Sequence, residues 1–185
     1  MTTNASVVRF ANAAIKLFDE NRMVVFLCGP ALKQDSAGAR LRKRLKDALE
    51  EQKFEVVLGE DDGLEETRLN VLKGYAHSNE LDFINKECGA IVLVADSVGS
   101  FCELGLFAHE HTLRNPNKCD FILFVADKYK PDRSYINEGP VKAIEDYGLV
   151  EYVNFDTASI SHVIKRLERR RSLYFLDGRG RPAKS

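Results

Sequence analysis

A chain of 185 residues, 44% hydrophobic and 30% charged, is long enough to bury one substantial core and short for two domains. No apolar run approaches the roughly 18 residues that a membrane-spanning helix needs. The start MTTNASVV lacks the basic segment and apolar core of a secretion signal, so a cytoplasmic protein with no membrane partner is expected. The net charge of −1 conceals an asymmetry: residues 165–185 carry +6 and the rest of the chain −7.

An amphipathic segment from Val7 to Phe18 comes first and is suited to pack on a sheet or on another subunit. Arg22 to Cys28 is an apolar run ending in Gly29-Pro30, the pattern of a first central strand buried on both faces. Ser36 caps a predicted helix to about Lys53, with Ala37, Leu41, Leu45, Ala48 and Leu49 inward and Arg40, Arg42, Lys43, Arg44 and Lys46 facing water. Phe54 to Leu58 reads as the second strand. Leu64 to Glu87 is mostly helical in pattern, divided near Gly74 and His77-Ser-Asn79.

Ala90 to Ala95 is the third strand, followed by a helix from Ser100 to about Leu113 that stops before Asn115-Pro116. Phe121 to Ala126 and Leu149 to Phe155 are the fourth and fifth strands. Between them Gly139 to Tyr147 reads as a short helix with proline near its first turn. A last helix runs from about Thr157 or Ser159 through Arg171. Strand and helix alternate, and the connections are long enough for right-handed crossovers. The expected fold is therefore an α/β three-layer sandwich, Rossmann-like or flavodoxin-like, on a five-stranded parallel sheet of order 2-1-3-4-5. Residues 1–171 would form one domain and residues 172–185 a basic tail. The tail and the run Arg169, Arg170, Arg171 suit contact with nucleic acid or another anionic partner, although charge runs also serve solubility alone.

In that order the switch point lies between strands one and three, so Gly29, Pro30 and the segment Asp96 to Glu103 border one crevice. The segment reads as a strand end carrying Asp96, a turn with Gly99 and Ser100, and a helix carrying Glu103 on its first turn. Glu103 is either a reactive carboxylate or a solvated helix-terminal glutamate held by the dipole. Asp96 either holds a substrate hydroxyl or bonds backbone amides after the strand. Gly29 with Pro30 is either a place where backbone approaches a ligand or a plain turn. Ser100 is a possible donor to ribose or phosphate and equally an N-cap. Cys28, Cys88, Cys102 and Cys119 lack paired spacing and fit buried thiols, with no metal site expected.

The string Gly99-Ser100-Phe101-Cys102-Glu103-Leu104-Gly105 resembles the Gly-[Ser/Thr]-x-x-Glu-[Leu/Ile]-Gly segment of nucleoside 2-deoxyribosyltransferase-like proteins. The fuller string from Ser97 to Phe107 is similar to effector proteins encoded beside bacterial retrons. The resemblance implies that Glu103 is the nucleophile at the anomeric carbon of a nucleoside and that Asp96 and Asp82 assist. The family's aspartate lies six residues before its glutamate, against seven for Asp96, and Asp82 matches by position only. Three functions follow: hydrolysis of a nucleotide, with NAD the favoured substrate and no separate cofactor; base-exchanging salvage; or nucleotide binding without turnover. The first implies a toxic effector restrained by a retron reverse transcriptase and its RNA–DNA product. The resemblance also implies a homo-oligomer.

Overall fold

The computed structural model describes residues 5–62, 75–114, 119–130 and 133–183. After a two-residue strand β1 (Asn21–Arg22), five segments form the main sheet: β2 (Val24–Cys28), β3 (Glu55–Leu58), β4 (Cys88–Ala95), β5 (Asp120–Ala126) and β6 (Leu149–Val153). The central three are almost wholly buried because helices cover both faces, which is why their sequences read as unbroken apolar runs rather than alternations. The order is β3-β2-β4-β5-β6 with every pairing parallel. Counted by themselves, these five strands run 2-1-3-4-5, as expected.

One face is covered by α2 (Ala37–Glu51) and α7 (Ser161–Leu176), with Leu17 and Phe18 of α1 (Ala5–Glu20) packed against the same cluster. The other face carries α4 (Ala76–Glu87), α5 (Val98–Arg114) and α6 (Lys142–Glu145); α3 (Gly59–Asp62) follows β3 directly. Ser36 caps α2 as its sequence requires, accepting from Ala39 N at 3.1 Å. His77-Ser-Asn79 lies inside α4 instead of dividing two helices, and the part of that pattern over residues 63–74 falls outside the described residues. The segment around Pro140 is a π-helical turn, Asn137–Val141, that leads into α6. The longer turn accommodates a residue that cannot donate.

The carboxyl-terminal segment departs most from expectation. Helix α7 runs on to Leu176, burying Tyr174 and Phe175, and after Gly178 in the left-handed region β7 (Arg181–Pro182) pairs antiparallel with β1. Its arginines meet the amino-terminal ends of the strands. Arg181 bonds Glu55 at 2.9 Å and Glu87 at 3.1 Å, and the Arg179 guanidinium donates to the Cys88 carbonyl. Arg166 forks onto the fully buried Asp120 with two bonds of 2.7 Å, and Arg170 adds a third at 3.3 Å. Arg171 donates to the Gln52 carbonyl at 2.6 Å and lies 4.7 Å from the Phe54 ring centre. Residues 172–183 are thus folded onto the sheet, and of Arg169, Arg170 and Arg171 only Arg169 is exposed. The physical reason is that strand-end carbonyls and carboxylates at that edge need donors.

Asp120→Ala leaves two guanidinium groups beside an apolar hole. It is expected to lower the unfolding free energy by about 3 kcal/mol, read as a fall in urea midpoint with little change in slope.

Candidate active site

The paired register of β2 and β4 sets Cys28 opposite Leu93, so the loops that leave both strands share the crevice at the switch point. On the β4 side, Ser97 begins α5: its Oγ accepts from Ser100 N at 3.2 Å, while Ser100 Oγ accepts from Ser97 N at 2.8 Å and Asp96 N at 3.0 Å. The hydroxyl hydrogen of Ser100 goes to the Ser97 carbonyl at 2.9 Å, and the residue is only 2% exposed. Ser100 is therefore an internal lock of the helix start with no donor left for a sugar, and the capping position belongs to Ser97. Gly99 faces solvent, with nothing within 4 Å of where its Cβ would be.

Asp96 reaches across the crevice. Its Oδ2 accepts from Gly38 N at 3.0 Å on the first turn of α2, and a Cβ on Gly38 would lie 2.5 Å from that oxygen. The carboxylate satisfies an unpaired helix-terminal N–H and lies at the positive end of the helix dipole. Asp96 thus holds α2 against the β4 loop, a structural contact that places it beside the crevice.

Glu103 is the sixth residue of α5, in its second turn and not its first. It shares a helix face with Ser100, three before, and Phe107, four after, both buried, and so is directed inward. Its Oε2 is shut off from solvent and has no hydrogen-bond partner among the described residues. Burial raises its pKa above the ordinary 4.5; nearby Arg42 pulls it down and Glu60 pushes it further up.

Arg42 was expected to face water, yet it is fully buried. Its Nη2 donates to Glu60 Oε2 at 2.6 Å and to the Leu27 carbonyl at 2.7 Å; Nη1 donates to Glu60 Oε1 at 2.9 Å and the Pro30 carbonyl at 3.0 Å. These bonds fix the turn after β2. Gly29 has φ +140°, and a Cβ there would meet the Val94 carbonyl at 2.9 Å, so its freedom serves close packing of the turn on β4.

Asp82 and Glu80 lie two apart on α4 and point in opposite senses. Asp82 is exposed and bonds Lys86 at 2.8 Å, one turn along. Glu80 is buried. A Cβ on Gly59 would lie within 4 Å of Glu80 Oε1, Glu103 Oε1 and Phe26 Cζ of β2, and the buried Cys28 thiol, pushed well up by desolvation, is raised further by the charges of Glu103 and Glu80. The structure therefore brings Glu103, Glu80, Glu60 and Arg42 around Cys28 and Gly59, with Asp96 at the rim, and leaves Asp82 outside.

Arg42, Glu60 and Glu80 were missed by sequence reasoning. A signal existed for Arg42, which falls on the same stripe as Gly38, Leu45 and Leu49, all buried. An arginine within an apolar stripe reads as a solvated edge unless its acceptors, distant in sequence, are known.

A family model described as STM3845 retron effector protein matches residues 38–175, three quarters of the chain. No curated protein matches it.

A carboxyl with a raised folded-state pKa binds more protons folded than unfolded, so its contribution to stability falls as pH rises from about 4.5 through the folded value. Glu103→Gln removes that cost. Its Tm is expected to exceed that of the unaltered protein by about 2–4 °C at pH 7, with the difference shrinking at pH 4; an unchanged gap across that range counts against a strained Glu103.

Proposed function

The chain belongs to the STM3845 retron effector protein family, and from that premise we propose that it is the anti-phage effector of a retron, cleaving the N-glycosidic bond of a nucleotide, with NAD the preferred substrate. The observation that carries this reading is the buried Oε2 of Glu103, without a hydrogen-bond partner among the described residues, in the crevice where an open α/β sheet takes its ligands. Loss of a base leaves positive charge on the sugar, and a desolvated carboxylate is suited either to bond the anomeric carbon or to stabilise the oxocarbenium ion. The resemblance of Gly99 to Gly105 to the nucleoside 2-deoxyribosyltransferase-like segment supports the covalent role. NAD suits the site because its nicotinamide, bonded through a cationic nitrogen, leaves without needing a proton.

On this reading Asp96 keeps the rim of the site in register and Arg42 sets the turn on its opposite side. The proposed restraint is a retron reverse transcriptase with its RNA–DNA product. Exposed Lys165 and Arg169 on α7 provide a basic surface for such a partner. A homo-oligomer is proposed on the resemblance alone.

Purified protein and its Glu103→Gln variant, incubated with NAD and separately with deoxynucleosides plus a free base, separate the possibilities by chromatography of released bases. Nicotinamide release from the unaltered protein, reduced by about 10³-fold or more in the variant, is the expected result. Base exchange with no net hydrolysis points to a salvage transferase, and equal release by both proteins removes Glu103 from the chemistry.

A further inference from the structure

We propose that Glu80, rather than Asp82, is the second catalytic carboxyl of the site: it protonates a neutral departing base and takes the proton of the water that completes hydrolysis. The inference rests on the glycosidase reading above. Glu80 sits on the inward face of α4 at 7% exposure, whereas the Asp82 side chain is 63% exposed and paired with Lys86. A Cβ placed on Gly59 would lie 3.5 Å from Glu80 Oε1 and 3.9 Å from Glu103 Oε1. The two oxygens are therefore no more than 7.4 Å apart, both beside a residue that has no side chain. Carboxyl pairs that work together on a glycosidic bond stand about 5–5.5 Å apart when one is a nucleophile and about 6.5–9.5 Å apart when water attacks directly.

The neighbours of the pair are an aromatic ring and an ion pair. The same point beside Gly59 lies 3.7 Å from Phe26 Cζ, which adds an apolar neighbour to the two carboxyls. Glu60, the third carboxyl, is committed to Arg42 through two bonds of 2.9 and 2.6 Å. Glu103 Oε2 has no such partner among the described residues.

In the first step the C1′–N bond breaks with its electron pair leaving on the base, and Glu103 forms an ester to C1′. A neutral base takes the proton of Glu80, whereas nicotinamide leaves uncharged and takes none, so with NAD Glu80 begins as the carboxylate. In the second step water bonds C1′, the ester electrons return to Glu103, and the proton of the water passes to Glu80, from which solvent removes it when NAD is the substrate. Losing Glu80 therefore stalls the second step with NAD but leaves the first intact.

The test uses the full chain with Glu80→Gln, with NAD as probe. The expected result is a burst of one nicotinamide per chain, then turnover slowed by about 10²–10³-fold. An ADP-ribosyl adduct should be visible by intact-protein mass spectrometry and absent when Glu103→Gln is added. Azide, a nucleophile that needs no base, should restore turnover. Turnover at the unaltered rate, or slow turnover with neither burst nor azide rescue, overturns the role of Glu80 while leaving the glycosidase reading standing. An unaltered protein that releases no nicotinamide overturns both.

Discussion

Arg42 is fully buried, and a guanidinium taken out of water costs several kcal/mol unless its donors are matched to fixed acceptors. Here the acceptors for its two terminal nitrogens come from three places: the carbonyls of Leu27 and Pro30 at the end of β2, and the carboxylate of Glu60 just after β3. One side chain from α2 therefore ties together the ends of two neighbouring strands and the helix that covers them. Because breaking such a set leaves an uncompensated buried charge, the loop after β2 has little freedom. The crevice beside Glu103 inherits that rigidity.

The other pole of the sheet is organised on the same principle with different residues. Asp120 at the start of β5 receives Arg166 and Arg170, Glu55 and Glu87 receive Arg181, and Tyr174 donates to the Glu87 carbonyl at 2.7 Å. Positive charge concentrated at the end of the chain thus meets negative charge and free carbonyls at the amino ends of the strands. The charge asymmetry has a structural use, and the basic surface left for a partner on α7 is smaller than the sequence count implies. Stability is anchored at one end of the sheet, while the strained carboxyl of Glu103 occupies the other. A buried acid held above its ordinary pKa is a local cost that a well-tied scaffold tolerates.

Within the site, the carboxyls differ by what they touch. Glu60 is bound by Arg42, Asp96 by the Gly38 amide, and Asp82 by Lys86 in solvent. Glu103 keeps a buried Oε2 without a partner among the described residues, and its other oxygen lies near Glu80 beside Gly59. Carboxylates alike in sequence are thereby separated by burial and by the residues that surround them.

The sheet, its order, the switch-point crevice and the helix bearing Glu103 were legible in the sequence, because apolar runs and helical periodicity are local signals and crossover handedness leaves few ways to join them. Glu103 itself stood out because its neighbours Gly99 to Gly105 form a contiguous motif. What no local pattern carries is the direction of a polar side chain relative to residues far along the chain. Arg42 looked solvated until Leu27, Pro30 and Glu60 arrived beside it, and Arg170 and Arg171 looked like a free basic run until Asp120 and Gln52 met them. Asp82 and Glu80 differ by two positions on one helix, and only packing of α4 on the sheet turns one to water and the other toward Glu103. Local patterns sufficed for the fold and for the position of Glu103 on its helix; the partners of each charged side chain came only with folding, since long-range electrostatic pairing depends on distances that exist only once the chain is folded.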